Sequence, residues 1–187
     1  QASYGPMGAS NITLYAQWSI NSYSITFNGN GGSTPSTITQ NYGTSVSVPS
    51  SSRTGYTFTG WSPACPTTMP ANNTNCVAQW SANTYTVTYN GNGSTGGTTA
   101  NSAHTYDVSK ALTTNGYTRT GYTFAGWATS AGGPVVYADG ASVTNLSSTH
   151  GATVTLYAKW TANTYTVAYN GNGNTGGSTA SSSHTYD

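Results

Sequence analysis

Alternation of apolar and polar positions recurs along this chain in a few repeated phrases, each of which predicts a half-buried β-strand. In TLYAQW, residues 13–18, Leu14, Ala16 and Trp18 share one face and Thr13, Tyr15 and Gln17 the other. In SYSITF, residues 22–27, Tyr23, Ile25 and Phe27 alternate with polar positions; TYTVTY, residues 84–89, repeats this with Tyr85, Val87 and Tyr89. An Asn/Gly run follows each, as at residues 28–32, and predicts a chain reversal because Asn and Gly tolerate positive φ. A further phrase, GYTFTGW at 55–61, returns as GYTFAGW at 121–127.

A chain that repeats itself reads as modules. Residues 1–20 are the close of one repeat, 21–82 a complete short repeat, 83–162 a complete longer repeat, and 163–187 the opening of another. HTYD at 104–107 returns at 184–187. The partial ends are either cut points in a longer protein or halves that complete each other between chains by strand pairing. Only DVSKALT, residues 107–113, has helical promise, and it is too short to stand alone.

The closing strands differ at one position. Four residues before the final Trp stand Leu14, Cys76 and Leu156, so cysteine replaces a core leucine in the short repeat. That repeat also has the shorter connection, 19 positions from Trp61 to Trp80 against 33 from Trp127 to Trp160. The extra residues include PVVYADGASVTNL, 134–146, which predicts an added hairpin. Cys65 and Cys76 lie within one repeat, and two thiols with no His nearby in sequence do not complete a zinc site. The reading is a disulfide in an oxidising, extracellular setting, compensating for the missing hairpin.

Composition narrows the class. Charged residues make up 4% of the chain: Arg53, Lys110, Arg119 and Lys159 against Asp107, Asp139 and Asp187. No basic stripe neutralises phosphates, so nucleic acid is not a partner. Fifteen Tyr and five Trp at a net charge of +1 argue for a folded β protein rather than disorder. No apolar run is long enough to cross a membrane, so direct membrane insertion is not expected.

Candidate chemistry is thin. GNGSTG at 91–96 and GNGNTG at 171–176 match the dinucleotide fingerprint, but turn and strand residues follow where a helix is needed. His104 and His184 are equivalent, and two ligands do not make a metal site; a locally bonded loop histidine is the reading. No nucleophile elbow or carboxylate pair is present, so no catalytic residue, cofactor or metal is expected. Lys110 and Lys159 are the only lysines for an isopeptide cross-link. The sequons at Asn11, Asn72, Asn92 and Asn145 are of the kind chance supplies in such a chain. Trp18, Trp80 and Trp160, with Phe58, Trp61, Phe124 and Trp127, are assigned to repeat cores; Tyr15 and Tyr157, on the opposite strand face, are the candidate surface contacts.

YTVTYNGNG, then a Tyr-Gly and Pro segment as at Tyr42-Gly43 and Pro49, then RTGYTFxGW at 53–61 and 119–127, then TLYAxW, together resemble the Listeria-Bacteroides repeat family, relatives of the internalin B repeat. The similarity covers nearly the whole chain. It implies small β-grasp-like modules in tandem, in secreted or wall-attached bacterial surface proteins, often as stalk or spacer, and brings no catalytic residues. Two departures stand out: the short repeat lacks the hairpin, and residues 104–115 replace the Tyr-Gly and Pro segment in the longer one. The expected protein is mainly β with little helix, an elongated rod and non-enzymatic. Its role is stalk, spacer or filament subunit, with head-to-tail self-association; the alternative is an adhesin that binds glycan or a host or matrix protein.

Overall fold

The computed structural model describes residue 11 and residues 13–187. Among the described residues there is no helix. The first sheet holds β1 (Ser22–Asn28), β2 (Ile38–Asn41), β3 (Tyr56–Ser62) and β4 (Thr74–Ala82) in the order β2-β1-β4-β3. β1 and β4 run parallel at the centre, and the outer strands are antiparallel to them.

The second sheet repeats this plan with longer connections. Its chain runs through β5 (Thr84–Asn90), β6 (Gly96–Gly97), β7 (Ser102–Thr105), β8 (Lys110–Ala111), β9 (Tyr117–Thr118), β10 (Tyr122–Ala128), β11 (Ser142–Val143) and β12 (Thr153–Ala162). The main sheet is ordered β10-β12-β5-β7, with β5 and β12 parallel. The two-residue strands pair off separately, β6 with β9 and β8 with β11. Beyond them β13 (Thr164–Val167) and β14 (Ser182–Thr185) form a two-stranded antiparallel sheet.

Alternation along the central strands makes one buried face and one polar face. In the first sheet Ile25, Phe27, Cys76 and Ala78 are buried. On the other face the Thr26 hydroxyl donates to Asn75 Oδ1 at 3.1 Å. In the second, Tyr85, Val87, Tyr89, Leu156 and Ala158 form the core with Leu112, Trp127 and Val143, while Thr88 and Thr155 hydroxyls meet at 3.0 Å on the polar side.

A β-bulge explains how GYTFxGW supplies two aromatics to one core. Phe58 and Trp61 are three apart, so in an unbroken strand they would face opposite sides. The register slips between Phe58 and Gly60, and again between Phe124 and Gly126, which turns both rings inward. Their centroids lie 5.2 Å apart for Phe58 and Trp61, and 4.9 Å for Phe124 and Trp127.

Two expectations need correction. Residues 13–20 form no strand here, and Trp18, assigned to a core, is 92% exposed, with Leu14 and Tyr15 also in solvent. In the complete repeats this strand lies between a β1-like and a β3-like neighbour; among the described residues, 13–18 have neither. Residues 134–146 do not pair with themselves as a hairpin. They fold back on two different strands: Tyr137 bridges Trp127, with the Trp127 amide donating to the Tyr137 carbonyl at 2.8 Å, and β11 pairs with β8. Residues 107–113, too short to stand alone as a helix, form none: Tyr106 and Asp107 make a turn, and Lys110 and Ala111 are β8.

The short repeat keeps one of those two pairings. The Val46 amide donates to the Thr67 carbonyl and the Met69 amide to the Thr44 carbonyl, both at 2.8 Å, and Met69 is buried in the place of Val143. What it lacks is the Tyr137 return over the tryptophan. Trp127 is accordingly fully buried and Trp61 only half-buried, packed against Phe27 at 5.0 Å. The Cys65–Cys76 disulfide is formed, with Cα atoms 5.7 Å apart, and both cysteines pack into the same cluster as Trp61.

Candidate functional site at the joint between modules

The two four-stranded sheets are linked by a single residue, Asn83, between β4 and β5. Its backbone is bonded on both sides: its amide donates to the Gly55 carbonyl at 2.9 Å, and its carbonyl accepts from the Tyr106 amide at 2.8 Å. Its side chain does the same, accepting from the Thr57 hydroxyl at 2.6 Å and donating to the Ser148 carbonyl at 2.7 Å. A one-residue connection bonded to both neighbours is a fixed joint; free linkers leave their backbone to water.

Aromatic packing closes the joint from outside. Tyr106, just past β7, lies on Gly55, where a Cβ would run into its ring; this and the φ of +78° explain the glycine of RTGYTF. Tyr56 meets Tyr106 edge-on at 5.8 Å, and the Arg53 guanidinium lies 3.8 Å above the Tyr56 ring. The Tyr56 hydroxyl donates to Asp107 Oδ2 at 2.9 Å, and Asn145 Nδ2 donates to Asp107 Oδ1 at 2.7 Å. Those two donors hold the Asp107 carboxyl below its usual range, and the same bond to Asp107 pushes the Tyr56 phenol up.

The joint is built twice. Asn163 alone separates β12 from β13, its amide donating to the Gly121 carbonyl at 2.8 Å and its carbonyl accepting from Tyr186 at 2.9 Å. Tyr186 lies on Gly121 and meets Tyr122 at 5.6 Å, and Arg119 stands 3.9 Å over Tyr122. Among the described residues a third half-joint is open: the Tyr42 amide donates to the Asn21 carbonyl at 2.8 Å as Tyr106 does to Asn83, yet Tyr42 is 53% exposed. RTGYTF and HTYD are each visible in the sequence, but their partnership across module boundaries is not.

Inside each repeat the Asn/Gly loop locks the closing strand. Asn28 Oδ1 accepts from the Asn30 amide, Asn30 sits at φ +46° and donates from Nδ2 to the Ala78 carbonyl at 3.1 Å, and Trp80 Nε1 donates to the Gly29 carbonyl at 3.0 Å. Asn92, Ala158, Trp160 and Gly91 repeat this. Trp80 and Trp160 are thus half-buried and pinned by their indole N–H, against Phe58 and Phe124 respectively, which are also half-buried. The sequon amides of Asn92 and Asn145 are committed to the protein itself.

His104 lies in β7, not in a loop, and is 1% exposed. The Thr113 amide donates to the Tyr89 hydroxyl at 2.8 Å, the Tyr89 and Ser102 hydroxyls meet at 3.1 Å, and Ser102 Oγ lies 2.9 Å from His104 Nε2. Its Nδ1 has no partner, and the ring stacks on Tyr85 at 5.5 Å. Burial and then the nearby Lys110 hold its pKa below the usual histidine value. His184 repeats the bond to Ser182 at 2.7 Å in an exposed setting. Among the described residues no three His, Cys, Asp or Glu gather, and no helix follows Gly96 or Gly176 to receive a phosphate. Among the described residues no helix is long and apolar enough to cross a membrane. Tyr157 is half-buried on the polar face, opposite Asn90, and Tyr15 is exposed; the structure does not bring them together.

Comparison with known proteins agrees with this repeated build. A Gly-rich membrane protein of Evansella cellulosilytica is 31% identical over 180 residues, 89% of this chain but 19% of that protein. A second membrane protein of the same organism is 29% identical over 177 residues, 87% of this chain and 24% of its own length. Internalin H of Listeria monocytogenes is 38% identical over 106 residues, 46% of this chain and 19% of that protein. The chain thus spans about a fifth to a quarter of the curated relatives it matches. The model of the Listeria-Bacteroides repeat domain matches twice, at residues 23–79 and 85–159, so the chain belongs to the Listeria-Bacteroides repeat family.

Proposed function

We propose that this chain is a non-enzymatic structural segment of a secreted or cell-surface bacterial protein, a stalk or spacer that holds another part of that protein away from the cell. The observation that carries the reading is the joint: one residue, bonded to both neighbours and capped by a tyrosine, occurring twice with the same partners. A spacer gains reach from such joints because reach depends on stiffness between units. The central parallel pair flanked by antiparallel strands supports a β-grasp-like module without its helix, in a rod-like array. Membrane proteins and an internalin among the relatives support the surface location.

Small-angle scattering on the chain and on Tyr106→Ser with Asn83→Ala tests it. The expected result is a fixed extended particle that becomes flexible in the variant; a native chain already flexible at the joint overturns the reading. Head-to-tail self-association is a second reading. It is supported, among the described residues, by exposed Leu14 and Trp18 in a segment without sheet partners and by β13, which pairs only with β14. Light scattering across a concentration series separates a chain that assembles from one that stays single.

A further inference from the structure

Tension along a tandem chain enters each module through its first strand and leaves through its last. In both complete repeats those two strands are hydrogen-bonded neighbours and parallel. Ser22 and Ala82 therefore lie at opposite ends of the β1/β4 pair, and Thr84 and Ala162 at opposite ends of β5/β12. Pulling slides one strand along the other, so all bonds between them resist together. Strands pulled from the same end open one bond at a time.

We propose that β1/β4 and β5/β12 are shear clamps that let each module carry tension without unfolding; the purpose of such a clamp rests on the spacer reading, but its existence does not. The register sets its size. Ile25, Thr26, Phe27 and Asn28 lie beside Thr74, Asn75, Cys76 and Val77, and Thr86 to Asn90 beside Thr153 to Tyr157. Side chains reinforce both faces: Thr88 bonds Thr155 and Thr26 bonds Asn75 outside, while Val87, Tyr89 and Leu156 exclude water inside. With Asn83 and Asn163 as the only residues between successive sheets, tension passes from clamp to clamp with no slack to take up.

The disulfide adds a second device. Cys65 and Cys76 are 11 residues apart, so the chain between them cannot extend even after the β1/β4 clamp has ruptured. The short repeat therefore yields less length than its residue count allows. Taking roughly 3.3–3.6 Å per residue and the strand offsets, its rupture releases about 140 Å, and that of the longer repeat about 230 Å.

Single-molecule force spectroscopy on the full chain, held at its two ends, tests this. Expected are two all-or-none ruptures with those increments; reductant lengthens the smaller by roughly 30–34 Å and leaves the larger unchanged. In a second geometry one handle moves to Val108→Cys, an exposed turn position and the single free thiol while the native pair is bridged. Thr84 and Thr105 are opposite each other, so this pull peels β7 from β5 from one end and is expected to need several-fold less force. Val87→Ala lowers the rupture force of the longer repeat, whereas Val143→Ala, buried outside the clamp, lowers its melting temperature and leaves that force unchanged. Equal forces in the two geometries, or gradual unravelling from the ends, overturns the clamp. Weak rupture in a chain that scatters as a stiff particle sinks the clamp alone, and strong rupture in a flexible chain sinks the spacer reading alone.

Discussion

Alanine at Gly126 is expected to cost more than alanine at the equivalent Gly60, although both glycines occupy the same place in GYTFxGW. Each sits at the bulge with positive φ, +132° at Gly60 and +139° at Gly126. A side chain there strains the backbone by about 1–3 kcal/mol in either repeat. The surroundings then separate them: nothing lies within 4 Å of a Cβ at Gly60, whereas at Gly126 it would meet Val135 Cγ1 at 2.6 Å and the Tyr137 carbonyl oxygen at 2.7 Å. The carbonyl belongs to the bond that holds the insert over Trp127, so it cannot retreat without loosening that cover. Overpacking of this kind adds roughly 1–3 kcal/mol, and for domains of this size each kcal/mol moves the melting temperature by about 4–8 °C. Differential scanning calorimetry on both variants reads the difference directly. Equal losses, within ~0.5 kcal/mol, would refute the packing of residues 134–137 on the bulge.

Reduction of the Cys65–Cys76 disulfide is expected to lower the melting of the short repeat by about 10–20 °C, since closing a loop of that length restricts the unfolded chain by about 2.8 kcal/mol; an unchanged melt in reductant sinks the idea. Buried His104 has its pKa lowered in the fold, so the unfolded chain takes up the proton first. Stability of the longer repeat is therefore full above the unfolded value, near 6.5, and falls as pH drops through it towards the folded value. His104→Gln should remove that slope between pH 7.5 and 5.5, and a slope that survives refutes the assignment to His104. Asp107, with its pKa lowered by Asn145 and Tyr56, contributes above the ordinary carboxylate range and is lost as pH falls through its folded value. Asp107→Asn should flatten the acid limb of the joint's opening measured by hydrogen exchange, while an unaltered limb argues against the carboxylate.

Local patterning determined a good part of this molecule. Alternation in SYSITF, TYTVTY and the closing strands marks their buried faces, because a strand's side chains alternate whatever it pairs with. Repetition of GYTFxGW and NGNG marks the modules, and Cys76 at the place of Leu156 announces a core position that needed a different staple. Pairing is another matter, since it depends on which strands arrive beside one another. TLYAQW has the pattern of TLYAKW, yet Trp18 stands in solvent and Trp160 is half-buried, because burial belongs to the neighbours of a strand and not to its own residues. The insert at 134–146 carries hairpin chemistry but closes on Trp127 and β8, where an uncovered indole and an unpaired edge were available. Tertiary structure alone brings Tyr106 and Asp107 to Gly55 and Tyr56 of the preceding repeat, and sets the first and last strands side by side and parallel. Both are contacts between residues dozens of positions apart, for which no local periodicity leaves a trace.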